Sequence, residues 1–559
     1  VRRKSLIPAI GGVAVVAVAA AAGAQIVGGV PTANQRSGSP ANVVVKGVTL
    51  ERVVNGNDVL ENPAGIFTRY GYLDDSTLQT DGQPTKTEPD QNTYLVTGNP
   101  GGPTAGYNYG RHFLIQGHEV FTPSGATFNR AYFTRVNLDV KDPAHRVTLL
   151  NPLPADATDS GVRSIDGSTY DPFTGQLLFT AEAGSLGGVF GQPLKWTGTT
   201  APAVVSYDGS LGKGGYEGIH NDKLGNLIIV EDTGGSGVTD NGAATPVKQP
   251  NSFVYRFKPK AADDLTAGKL QVLQVSVDGT PITFHNSATD GAQAARDDAL
   301  GDPIKALHSG QTLQAKWVTI HDTDTDGTAP FDANAAAKAG GVGAAAVAAN
   351  KGTPLKRPEN GKFVPGSDFK SFVIAETGDT NKLAGDYPGA AERGAWGALL
   401  RVDLPTAGAD TGTVKAIEVG DQTHASFDNV AFLDKDTVLV TEDRGETLHQ
   451  QANALDSLWS FDIKKSIADI NGDARRVIAQ GRDPEATGDI GLREIPPVRT
   501  HNDGDNELTG IHVSDGSTSR FGILGAAKPF LAGTVVSPWR IFVTGQHGAN
   551  ITYELEARG

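Results

Sequence analysis

The chain contains no cysteine and no methionine in 559 residues. The first absence excludes disulfides, zinc thiolates, iron–sulfur clusters and thiol nucleophiles together. Nothing in the sequence explains the second. Cations are also in short supply, with 48 Lys and Arg against 63 Asp and Glu and a formal net charge of −15. Such a surface repels a phosphate backbone, which argues against a nucleic-acid binder. Beyond residue 24 no apolar run approaches the roughly 18 residues of a spanning helix. A GxSxG elbow, an HExxH pair and a Walker loop are all missing.

What is present begins with an address. Arg2, Arg3 and Lys4 precede an apolar, Ala-rich run from Leu6 to Ala22, and Ala22-Gly23-Ala24 supplies an A-x-A cleavage pattern. The reading is a secretory signal over residues 1–24, with Gln25 as the new N-terminus; a retained membrane anchor is the weaker alternative. The Arg2-Arg3 pair is compatible with twin-arginine export. The expected product is extracellular, without stable membrane insertion, and monomeric. Residues 25–45 read as a leader or first strand, and 46–559 as one domain.

With 70 glycines and 31 prolines, the rest is rich in turns. Between them recur short runs of Val, Ile, Leu, Phe and Thr, among them HFLIQGHE (112–119), QLLFTAEAG (176–184), NLIIVEDTGG (226–235), SFVIAETGD (371–379), TVLVTEDRGE (437–446) and RIFVTGQHG (540–548). Runs this short and frequent predict an all-β fold. Helical pattern is confined to Asp290–Ala306 and the Ala-rich Asp332–Ala349. A degenerate repeat pairs two such strands across an Asp/Gly turn. It is clearest at 216–232, 427–443 and 506–548, and looser at 163–184 and 357–379, with HFLIQGHE as a remnant. About six units of roughly 90 residues, each carrying insertions, predict a β-propeller. A β-helix would need shorter, more uniform coils.

Acids follow the strands in these units (Glu119, Glu182, Glu231-Asp232, Glu376, Glu442-Asp443) or precede them (Glu217, Glu359, Asp428, Glu507). Inner strands of a propeller converge on a channel, so carboxylates at equivalent strand ends would repel one another there. Bound cations remove the conflict, and oxygen donors select Ca²⁺ or Mg²⁺. Caps and solvent-facing acids are the bland alternative for any one of them.

These segments resemble the PhoX-type alkaline phosphatases, secreted metal-dependent six-bladed propellers. GYNYGRHFLIQGHE is similar to that family's strand ending in Asn-His-Glu. LIIVED with FVYRF resembles its Cys-Glu-Glu blade, and KGTPLKRPEN its Arg-Pro-Glu segment. FDNVAF with VLVTED resembles its Pro-Asp-Asn blade, and ELTGIHVSDG with IFVTGQHG its closing segments. The resemblance implies metal ligation by Glu119, Glu231, Glu359 and Glu507, and phosphomonoester hydrolysis of a small phosphorylated substrate. The family's iron-ligating cysteine has no counterpart; Glu217 stands at its spacing ahead of Glu231, which favours several Ca²⁺ ions over Fe. The family's Thr-Pro-Trp-Gly run is also missing. The full expected ligand set is Glu119, Glu217, Glu231, Glu359, Glu376, Asp428, Glu442 and Glu507. Arg357, Arg111 and Lys213 are expected to face the anionic substrate, with His547 and His118 to be tested as acid, base or ligand.

Weaker signals remain. Asp322, Asp324, Asp326 and Gly327 match the first half of an EF-hand loop, but Ala333 stands where its Glu belongs. His501–Glu507 has cation-loop composition, and GSLGKGG (209–215) lacks P-loop spacing. Two other functional classes stay open: a calcium-stabilised propeller that only binds a partner, and a propeller hydrolase of another class such as a lactonase.

Overall fold

β-branched and aromatic runs of four to seven residues, each closed by an Asp/Gly turn, fold in this computed structural model into a six-bladed β-propeller. The structure describes residues 28–36, 40–74, 85–120, 129–240, 243–380, 389–465, 474–482, 507–520 and 539–557, with the short pieces 24–25, 382, 467 and 534–535. The expected signal up to Gly23, and residues 501–506 of the cation-loop segment, lie outside the described residues. No helix among the described residues is long and apolar enough to cross a membrane.

The inner strands, in blade order, are Pro89–Val96, Ile165–Asp171, Tyr216–Asn221, Pro358–Phe363, Phe427–Phe432 and Leu508–Ser514. Each packs on the next and the last on the first, closing the ring. The second strands are His112–His118, Gln176–Ala181, Leu227–Glu231, Ser371–Glu376, Thr437–Glu442 and Arg540–Gly545, antiparallel to their inner partners. All six repeat units read from the sequence therefore correspond to blades. Blade six takes its outer strand from the N-terminal side of the chain: Val48–Val54 pairs with Ile551–Ala557, Leu50 opposite Leu555. This pairing ties the two ends of the ring and covers an edge that would otherwise be open. Val43–Val44, within the segment expected as a leader, pairs with Ile478 and Ala479 at the rim of blade five.

Apolar side chains gather between blades. Phe113 and Ile115 of blade one meet Leu177 and Phe179 of blade two, and comparable clusters fill the other five interfaces. The Phe133 and Phe179 rings stack at 3.9 Å between centroids. Blades three and four are also joined at their rims, because Leu313–Asp322 pairs with Asp264–Val277 on one side and Thr411–Val419 on the other.

The helices are shorter than expected. The first breaks into Ala292–Leu300 and Asp302–Leu307 at Gly301, whose successor Asp302 precedes Pro303. The second runs only from Ala333 to Ala339. Asp332 caps its start, Gly340 ends it at φ 86°, and its Ala333, Ala336 and Ala337 pack into the core beside blade three. The EF-like segment forms one helical turn at Thr323–Asp326, with Asp322 capping it and paired to Lys269 at 2.8 Å and Asp324 paired to Lys260. Its carboxylates are used locally.

Candidate metal centre

At one mouth of the channel every blade repeats a local device. The first residue past the second strand donates its backbone N–H to the residue just ahead of the inner strand: Glu119 to Glu88, Glu182 to Ser164, Asp232 to Gly215, Thr377 to Arg357, Asp443 to Ser426 and Gln546 to Glu507, at 2.8–3.1 Å. One residue into each inner strand lies Asp90, Asp166, Glu217, Glu359, Asp428 or Thr509, and the register with the second strand slips by one residue immediately afterwards. A bulge at the same place in six blades turns these side chains toward the axis. The entry position is strained: Glu88, Ser164, Arg357 and Ser426 have φ between 36° and 58°, which non-glycine residues seldom adopt.

Among the described residues these positions bring carboxylates together in three groups, whose oxygens lie within 4.8 Å of one another: Asp90–Glu119–Asp166, Asp90–Asp428–Glu507 and Glu182–Glu217–Asp232. Asp90 belongs to two of them. Two charges at that separation repel by ~3 kcal/mol even at an effective dielectric near 20. Burial, and then the neighbouring acids, hold Asp90, Glu119, Glu182, Glu217, Glu359, Asp428 and Glu507 well above the usual carboxylate range. Burial also raises Asp166. Polar neighbours fix the set. Thr509 Oγ1 donates to Asp90 Oδ1 at 2.6 Å, Gln546 Nε2 to Glu119 Oε1 at 2.8 Å, and Asn429 Nδ2 to Asp428 Oδ1 at 2.7 Å. Asp428 Oδ2 is buried with no hydrogen-bond partner.

Arg357 enters the ring from blade four. Its Nε and Nη2 donate to Asp232 at 2.6–3.0 Å, and Nη2 lies 3.5 Å from Glu359. Burial opposes the guanidinium charge, but Asp232 and Glu359 outweigh it and raise its pKa further. The His547 ring sits 3.2 Å from Glu507 and 3.7 Å from Glu88.

Of the expected ligands, the structure places Glu119, Glu217, Asp428 and Glu507 in these groups, with Glu359 beside Arg357. Three others do not point into the ring. Glu231 accepts from Phe253 N, Tyr255 Oη and Asn334 Nδ2 at 2.9–3.2 Å, and burial pushes its carboxyl up to about 7. Glu376 bonds His308 Nε2 and accepts from Lys356 N, both at 2.9 Å. Glu442 accepts from Arg444 Nη2 at 2.8 Å and Ala425 N at 3.1 Å. Each is the last residue of its second strand, and the following residue faces the axis, so strand alternation turns the glutamate into the blade interface.

Two expected cations are also elsewhere. Arg111 precedes the strand that ends near Glu119, so it lies ~25 Å away at the other end of that strand. Lys213 is 3.6 Å from Asp208 in the loop before blade three. His118 is buried between the hydroxyls of Thr87 and Thr134, and burial keeps its pKa well below the usual value. Asp90 and Asp166 escaped the sequence reading. Their signal is a recurring Pro or bulky apolar residue, then an acid, then Gly, Asn or Gln: PDQ, IDG, YEG, PEN, FDN.

No family model and no curated protein matches the chain. Among solved structures it is similar to PhoX from Pseudomonas fluorescens in complex with vanadate, a transition state analogue, at 12% identity over 96% of this chain and 98% of that one, with a TM-score of 0.48. It is also similar to TolB from Acinetobacter baumannii at 10% identity over 84% and 64%, TM-score 0.27. The PQQ-bound aldose sugar dehydrogenase from Streptomyces coelicolor aligns at 11% identity over 70% and 94%, TM-score 0.27.

Proposed function

We propose that the protein is a divalent-cation-dependent phosphomonoesterase whose ions sit in the acidic mouth of the channel. The observation that carries this reading is the set of three carboxylate groups converging from separate blades, two of which share Asp90. So much buried negative charge needs a counter-charge, and the unpartnered Asp428 Oδ2 fits a metal ligand. Asp90, Glu119, Asp166, Asp428 and Glu507 would hold ions on one side of the mouth, and Glu182, Glu217 and Asp232 on the other. These donors are all oxygen, which favours calcium, and the export signal read in the sequence would deliver the chain to a calcium-rich exterior. Bound cations would neutralise the ring, polarise a phosphoryl oxygen and acidify a bound water.

The chain's own groups supply orientation. Arg357 reaches the ring, and its fork is anchored on Asp232 with the remaining face toward the acids. It would hold the anionic end of the substrate in register. His547, between Glu507 and Glu88, is placed to hold or pass a proton at the edge of the ring. The resemblance of the five segments to PhoX-type phosphatases supplies the choice of phosphomonoester as substrate.

Hydrolysis of p-nitrophenyl phosphate tests the proposal. Turnover should vanish on chelation and return with calcium. Chelator-insensitive turnover would refute the metal role, and no turnover in calcium-loaded protein would refute the phosphatase reading.

A further inference from the structure

About 10 Å below the acids, three residues down the inner strands, the channel changes sign. His220 of blade three, Lys362 of blade four and His512 of blade six meet there. Blades three and six are opposite in the ring, so the charge of His512 reaches His220 across the axis, and Lys362 acts on both. Lys362 Nζ lies 3.4 Å from His220 Nδ1, and His220 Nε2 lies 2.9 Å from Asn360 Oδ1, the arrangement of a ring that donates to the amide and accepts from the ammonium. His512 is only 7% exposed, and neither of its ring nitrogens has a hydrogen-bond partner.

Among the described residues, no carboxylate is one of the groups acting on Lys362, His220 or His512. This stands out in a chain with a net charge of −15. Between the two layers lies a neutral band of amides and hydroxyls: Asn360 Nδ2 donates to Asn429 Oδ1 at 2.5 Å, and Gln91 Oε1 accepts from Ser168 N at 2.8 Å. That band separates the basic layer from the acids above. A buried ring with no hydrogen-bond partner is costly, and a half-buried ammonium whose near partner is an imidazole keeps donors free for an anion.

We propose that this basic layer is a binding site for one small tetrahedral oxyanion of the phosphate or sulfate class, held by Lys362 Nζ and the His512 ring with His220 behind them. The site is distinct from the acidic mouth and stands whether or not cations bind there.

The test is calorimetric titration of the full-length, calcium-loaded protein with sodium sulfate at constant ionic strength. Wild-type protein should bind one sulfate saturably, and Lys362→Gln should weaken it at least tenfold. His512→Asn should weaken it several-fold, and serves as the second variant if K362Q does not fold. Sulfate held by cations at the mouth would be indifferent to both substitutions. Equal affinity in wild type and variants, or no saturable binding to wild type, would overturn the proposal.

Discussion

Glu231 and Asp232 are neighbours in sequence and opposites in the fold, as are Glu442 and Asp443. The first of each pair faces the space between blades, where a tyrosine hydroxyl and an asparagine amide, or an arginine, bond one of its two oxygens. The second stands at the channel mouth: Asp232 belongs to a carboxylate group there, and Asp443 acts on Glu507 and Asp428. One peptide unit decides between a structural carboxylate and a candidate ligand. In blades four and five the interface glutamate also accepts the N–H of Lys356 or Ala425, the residue just ahead of the strained Arg357 or Ser426. The interface position thus holds the backbone that aims the channel position.

Breaking this division from the channel side should give the largest effect. Asp90→Asn, in two carboxylate groups, is expected to cut p-nitrophenyl phosphate turnover ~10³-fold and reduce bound calcium per chain, with the melting temperature of the calcium-free protein unchanged or raised. A calcium-free variant that melts well below wild type would make Asp90 structural. From the interface side, Glu442→Gln removes the nearer of buried Arg444's two carboxylate partners and should cost ~3 kcal/mol in denaturant unfolding while calcium stoichiometry holds. Loss of ions with stability intact would erase the distinction.

The basic layer sharpens the comparison further down the axis. Burial lowers Lys362 from 10.5 to about 7, so between those values the unfolded chain binds more protons than the folded one. Wild-type stability should therefore rise with pH across that window, and His220 and His512, whose pKa values burial depresses, add the same sign below pH 6.5. In sulfate-free buffer Lys362→Met should flatten the rise and add ~2 kcal/mol near pH 7, read from denaturant curves at several pH values. The smallest effect belongs to the EF-like turn: Asp324→Asn should change stability by no more than ~0.5 kcal/mol and leave calcium stoichiometry untouched.

Much of this was legible along the chain. Apolar runs and turns mark all six blades, because a short β-branched segment between Asp/Gly turns has few other ways to bury itself. The acids at strand ends point to a charged mouth, and Glu119, Glu217, Asp428 and Glu507 do meet there. Glu231, Glu376 and Glu442 misled because the pair of adjacent positions carries no mark of which one faces inward. Arg111 misled for a related reason, since a strand has two ends and only one reaches the ring.

Sequence by itself determined the all-β class, the six-fold repeat, the absence of thiol chemistry and the excess of acid, since these follow from local composition and periodicity. Tertiary structure alone decided which carboxylates share a volume and that a lysine and two histidines from three blades meet below them. Those outcomes depend on bulge register and ring closure. Both are long-range properties, set by pairing between strands that can lie hundreds of residues apart.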